Sequence, residues 1–175
     1  YTLAGLTAVD IAQVTVFVTL TFWLGASLLL GIALTQMPAS QTDLLGLPSS
    51  WLNVVGGLSL LVPFAYLALS FFRRAPIAYR HWLVQVPRPS IALTQMAVSA
   101  LDLIFACATL YVLLAPALPI GFFSFLCIYL LALGVGIVSS VPAGIGVFEA
   151  VLVAALPQVD TTVLLGTIVT YLLIY

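Results

Sequence analysis

Lysine is absent from this chain, and charge of either sign is scarce. Its 175 residues include four arginines, five acidic residues and one histidine, so that only 5% are charged. Soluble domains carry roughly 25% charged residues. Together with 64% hydrophobic residues and a mean hydropathy of +1.31, this excludes an ordinary soluble domain. A formal net charge of −1 provides no basic face, which excludes direct nucleic-acid binding by this segment. Cysteine is nearly absent as well. Cys107 and Cys127 stand alone in apolar runs, without the paired spacing of a zinc site, and read as small buried hydrophobes. No Ser-His-Asp set, metal-ligand cluster or phosphate-cradling loop stands out. The residues therefore indicate no catalytic centre, no metal and no cofactor.

What is abundant is uninterrupted apolar sequence. Ile11–Leu34 is uncharged and long enough to cross a bilayer core of about 30 Å at about 1.5 Å per residue. Trp51–Phe72 forms a second span, with Trp51 placed as an interfacial anchor. Ser90–Leu114 is a third and Ile120–Val138 a fourth. Thr35–Ser50 and Arg73–Pro89 read as polar loops, and Ala115–Pro119 as a tight Pro-containing turn. Val147–Leu156 is too short to cross, and Val163–Tyr175 starts another helix after a polar interruption at Gln158–Thr162. The expected fold is an all-α, polytopic transmembrane helix bundle with a broken or re-entrant helix. There is no basic n-region or small-residue cleavage site of a signal peptide near Tyr1. The chain stops at Tyr175 inside an apolar run. Residues 1–175 read as a single transmembrane domain cut from a longer protein.

The break is Ser139–Glu149, S-S-V-P-A-G-I-G-V-F-E. Pro142 removes a backbone donor and clashes with a preceding helical turn. Gly144 and Gly146 accept left-handed backbone. Irregular backbone at membrane depth needs protein or a water-filled cavity around it. Ser139–Gly146 is therefore expected to be non-helical, with the N-terminal end of the following short helix pointing into a polar cavity where free N–H groups favour phosphate. Glu149 stabilises that helix N-terminus, serves a polar pathway, or does both.

Asp102 crosses the third span near its middle. A carboxylate there costs a few kcal/mol on insertion scales and normally faces the bundle interior. It reads either as an interhelical hydrogen-bonding group or as a contact for substrate or a coupled proton. Asp10, at the start of the first span, reads as an interfacial or N-capping acid. Arg73, Arg74, Arg80 and Arg88 all fall in one loop. They act as stop-transfer and orientation signals, or attract anionic headgroups at about 1 kcal/mol per basic residue. His81 beside them is a poor metal candidate. The positive-inside rule puts this loop in the cytoplasm and Thr35–Ser50 outside. I-A-L-T-Q-M occurs at both Ile32–Met37 and Ile91–Met96, but one copy ends a span and the other begins one. It reads as coincidence in a biased composition.

The pattern Ser139, Pro142, Gly144, Gly146, Phe148 and Glu149, followed by A-V-L-V-A-A-L-P, resembles the signature of the membrane region of bacterial aminoacyl-phosphatidylglycerol synthase/flippases. These are the MprF-type lysyl- or alanyl-phosphatidylglycerol proteins, grouped with YbhN-like membrane proteins. Where that pattern usually has P-G-G, this chain has Pro142, Ala143 and Gly144. Where it tends to carry L-L-Y-R, this chain has L-L-I-Y at Leu172–Tyr175. The resemblance implies a multi-pass domain of the bacterial cytoplasmic (inner) membrane that binds and flips aminoacyl-phosphatidylglycerol outward, a role tied to resistance against cationic antimicrobial peptides. It also implies a separate cytosolic aminoacyl-tRNA-dependent transferase that these residues do not include. Translocation contacts are then expected at Asp102, Ser139, Pro142, Gly144, Gly146 and Glu149, with anionic-lipid contacts at the four arginines. The partners are the bilayer, the phospholipid and a second copy in a homodimer. Two other readings stay open: an ion-coupled small-solute transporter, and a non-transporting anchor or dimerisation domain for a cytosolic enzyme.

Overall fold

The computed structural model describes residues 8–38, 40–42, 48–72, 77–79, 82–84, 87–139, 141, 144 and 146–174. Six α-helices follow in chain order. They are α1 (Ala8–Gln36), α2 (Ser49–Phe72), α3 (Pro89–Leu114), α4 (Phe122–Val138), α5 (Val147–Ala155) and α6 (Thr161–Ile174). A 3₁₀ turn, Ala115–Ala117, joins α3 to α4 and is closed by the Tyr111 hydroxyl, which donates to the Ile120 carbonyl at 3.2 Å.

The outside of the bundle is apolar. Phe72, Val112, Phe105 and Leu58 are exposed, as are most residues of α2. A helix that is hydrophobic all round needs either protein or lipid about it, and patches this large do not face water in soluble monomers. Three helices, Ile11–Gln36, Ser50–Phe72 and Pro89–Ala117, are long and apolar enough to cross a membrane. Hydroxyls on these faces are neutralised locally. Thr15, Thr21, Thr94 and Thr109 each donate to the carbonyl four residues earlier, at 2.8–2.9 Å.

Three expectations change. The fourth run forms α4, with 17 residues about 26 Å long at 1.5 Å per residue, which falls short of a full bilayer core. Gly121 caps it at one end and the break ends it at the other. The second polar loop contains a small antiparallel hairpin, β1 (Ile77–Tyr79) with β2 (Trp82–Val84), in the register Ile77↔Val84, Ala78↔Leu83, Tyr79↔Trp82. Three-residue apolar segments are too short to reveal strand periodicity. Asp10 lies inside α1 rather than ahead of it, so it is not the residue that caps this helix.

α1 packs against α2, α3 and α4. Its seams with α2 and α3 are made by small residues. A Cβ on Gly31 would stand 2.9 Å from the Gly56 carbonyl oxygen of α2, and one on Gly25 would stand 2.9 Å from the Ala100 backbone nitrogen of α3. Small-residue seams let membrane helices approach closely where no hydrophobic force drives them together. α2 meets its neighbours along a narrow stripe of Leu52, Gly56, Pro63 and Ser70. Leu29, Leu103, Leu110, Phe125, Ile128, Leu152 and Ile168 are buried in the core between α1, α3, α4, α5 and α6. Near the α1–α2 connection, Ser124 of α4 donates to the Gln41 side chain, so the end of α1 and the start of α4 share one side of the bundle.

Candidate functional site

The chain reverses at the end of α4. The Ser139 N–H still bonds the Val135 carbonyl at 2.9 Å, and its hydroxyl donates to the Gly136 carbonyl at 2.7 Å while accepting from the Val141 N–H at 3.3 Å. This pairs the Val135 and Gly136 carbonyls where the helix stops. Gly144 follows at φ +64° and Gly146 at φ +83°, both left-handed, where a residue with a Cβ is strained. The returning backbone lies on α4 so closely that a Cβ at Gly144 would stand 3.3 Å from the Gly136 Cα. α5 then runs back along α4. With nine residues it reaches about 14 Å, roughly half a bilayer core. The expected broken, re-entrant element is present. Pro142 lies outside the described residues.

Glu149 turns back on its own helix start. Its Oε2 accepts the Gly146 N–H at 2.8 Å, the acidic half of a capping box. A carboxylate therefore already stands where the exposed N–H groups of α5 attract negative charge. Glu149, one turn into the helix, thereby offsets the attraction of this end for phosphate: a phosphate here meets a like charge, and a cation does not.

A cavity of about 370 Å³ lies at the reversal, lined among the described residues by Leu133, Gly136, Ile137, Val141, Gly144 and Phe148. A second, apolar groove of about 470 Å³ lies between α1 and α4 and includes Ser139 in its lining. Of the residues singled out in the sequence, Gly144 lines the first space and Ser139 the second. Gly146 and Glu149 form the cap.

Asp102 sits apart from both spaces. Among the described residues it is exposed on α3, within electrostatic reach of Tyr171 on α6. The Tyr171 and Tyr129 hydroxyls share a buried hydrogen bond of 2.9 Å. The Tyr129 ring meets Phe148 edge to face at 5.6 Å. Tyr171, Tyr129 and Phe148 thus form a continuous chain of contacts from α6 to the start of α5. Arg88 precedes α3, with its side chain exposed and its carbonyl accepting from the Ile91 and Ala92 N–H groups at 2.9 and 3.1 Å. Arg73, Arg74, Arg80 and His81 lie outside the described residues.

Sequence reasoning missed one polar centre. Gln95 is only 6% exposed inside an apolar span. Its Nε2 donates to the Thr21 hydroxyl at 2.7 Å, and its Oε1 accepts from the Tyr66 hydroxyl at 2.9 Å. One amide thus ties α1, α2 and α3 together. Asp102 follows Gln95 by seven residues, two helical turns, and so stands over nearly the same face of α3.

Between α5 and α6, Asp160 Oδ1 accepts the Thr162 and Val163 N–H groups at 2.8 and 3.2 Å. These backbone donors, Val163 first, hold its carboxyl below the ordinary value. No group of three or more His, Cys, Asp or Glu residues that could hold a metal occurs among the described residues.

No protein-family model matches the chain. Two curated bacterial proteins are similar to it. The uncharacterized protein slr0712 of Synechocystis sp. is 34% identical over 166 residues, covering 94% of this chain and 52% of the relative. The inner membrane protein YbhN of Escherichia coli is 29% identical over 180 residues, covering all of this chain and 54% of the relative. The chain spans about half the length of the curated relatives it matches. Homology to an inner membrane protein and three bilayer-length apolar helices agree: this is an integral, multi-pass membrane protein.

Proposed function

We propose that this chain is the membrane part of a lipid-translocating protein of the bacterial inner membrane, of the aminoacyl-phosphatidylglycerol flippase type. It moves an aminoacylated anionic phospholipid from the inner to the outer leaflet. The observation that carries the reading is the α4–α5 reversal. A half-membrane helix returns on Gly136 and Gly144 beside a cavity, with an apolar groove on the other side of α4. Membrane transport proteins place substrate at helix breaks of this kind. Similarity to YbhN, an inner membrane protein, supports the location. The Glu149 carboxylate at the break suits the cationic aminoacyl end of such a headgroup. The arginine-bearing segment faces the cytoplasm and collects anionic lipid there.

Glu149→Gln tests the reading. Glutamine keeps an acceptor for the Gly146 N–H and removes the charge. The expected result is a folded, inserted protein that delivers much less aminoacyl lipid to the outer leaflet, with total lipid synthesis near normal in the full-length protein. Pro142→Ala should also reduce delivery, by allowing a helix to continue through the break. If both variants deliver lipid normally, the anchor reading replaces this one. If outer-leaflet lipid is unchanged but uptake of a small solute falls, the solute-transporter reading does.

A further inference from the structure

The groove between α1 and α4 has a shape and lining that the break does not explain. Trp23, Ala26 and Leu30 form one wall, and Leu131, Gly134 and Val135 the other. Its volume of about 470 Å³ falls in the range of about 300–1,000 Å³ that small-molecule sites occupy. Its sides open toward the bilayer, since Trp23, Leu131 and Val135 are each exposed there. Gly134 leaves its part of the groove open: a Cβ placed there would meet no atom within 4 Å.

The lining also restricts the chemistry of an occupant. It contains no charged residue, and both of its hydroxyls are engaged by their own helix. Ser27 donates to the Leu24 carbonyl at 3.2 Å, and Ser139 to the Gly136 carbonyl at 2.7 Å. Apart from the Trp23 indole N–H, the lining offers a polar occupant no donor in return for its lost hydration. A hydrocarbon loses nothing, and acyl chains are the solvent at the open side. The groove follows α4 from Leu130 to Ser139, the first residue of the break. A chain lying in it therefore brings the polar end of the same molecule to the reversal.

We infer that this groove holds one acyl chain of the phospholipid whose headgroup engages the break, with the glycerol end toward Ser139. The inference rests on the lipid-translocating reading for the headgroup, and on the groove alone for the chain. The test uses the intact protein in vesicles of phosphatidylethanolamine and phosphatidylglycerol, the latter carrying a photoreactive diazirine near the end of one acyl chain. Adducts are mapped by mass spectrometry, and leaflet delivery is measured in parallel. The expected result is labelling around Trp23–Ser27 and Leu131–Val135 several-fold above that on the lipid-facing Leu58 and Leu61 of α2. Gly134→Leu, which fills the space, should reduce groove labelling to the α2 level and slow delivery, while Gly134→Ala retains most of both. Ala26→Leu fills the groove from the opposite wall and serves if Gly134→Leu fails to assemble. Uniform labelling of groove and α2 overturns the inference. So does a folded groove-filling variant that keeps its labelling, or one that loses it yet delivers lipid at the normal rate. Groove labelling in a wild-type protein that moves no lipid sustains the acyl-chain site and removes the translocation reading instead.

Discussion

Gly144 rests against Gly136 across the break, with left-handed backbone at Gly144, where a Cβ would stand a tight 3.3 Å from the Gly136 Cα. Gly146, two residues on, is also left-handed but meets nothing within 4 Å. The two positions separate backbone strain from steric contact. Gly146→Ala should cost about 1–2 kcal/mol, the strain of a left-handed alanine. Gly144→Ala adds a contact to that strain and should cost more, about 2–4 kcal/mol. Thermal unfolding of both variants in detergent measures the difference. Equal losses would mean that the Gly136 contact gives way freely.

The Gln95 centre is open to a double-mutant cycle. Tyr66→Phe removes one hydrogen bond and should cost about 0.5–1.5 kcal/mol. Gln95→Leu leaves the Tyr66 hydroxyl without its acceptor, while Thr21 keeps its bond to the Phe17 carbonyl, and should cost about 1–3 kcal/mol. The coupling between Gln95 and Tyr66 is expected near 0.6–1.7 kcal/mol, as for other hydrogen bonds between membrane helices. A coupling of zero would show that the amide and the phenol do not act together.

Asp160 gives a pH signature. Its folded-state pKa is lowered, chiefly by the Val163 and Thr162 backbone donors. Lowering means that its contribution to stability is present above the unfolded value of about 3.9 and is lost as pH falls through the lower, folded one. The stability gap between wild type and Asp160→Asn should therefore be constant above about pH 5 and close below about pH 4. A gap that widens on acidification would contradict the assignment.

Single cysteines at Ser40 and Ala78, with Cys107 and Cys127 changed to alanine, read the orientation. An impermeant thiol reagent applied to intact cells should label position 40 and spare position 78. The reverse pattern would place the arginine segment outside.

How much of this was readable in the sequence depended on the range of the signal. The three long helices and the break announce themselves in runs of neighbouring residues. The cap on α5 was also legible, because Gly146 and Glu149 stand three apart, the spacing a capping box requires. Gln95 was not. Its partners are 74 and 29 residues away, and a lone glutamine in an apolar run carries no mark of what it will meet. The exposure of Asp102 among the described residues was hidden for a related reason. A carboxylate within a span points inward as a rule, but which side of α3 is covered depends on α1 and α6, which pack on it from distant parts of the chain. The hairpin at Ile77–Val84 was missed because two three-residue strands leave too few alternations to count.

The glycine seams of α1 have a mechanical consequence. Two helices locked backbone to backbone, with Gly31 on Gly56 and Gly25 on the α3 main chain, cannot slide without collision. They turn α1, α2 and α3 into a fixed jaw. The α1–α4 boundary has no such lock along its groove, and α4 is tied to α5 by a glycine-jointed elbow. On the reading proposed above, an acyl chain in the groove would stand as a wedge between that jaw and α4.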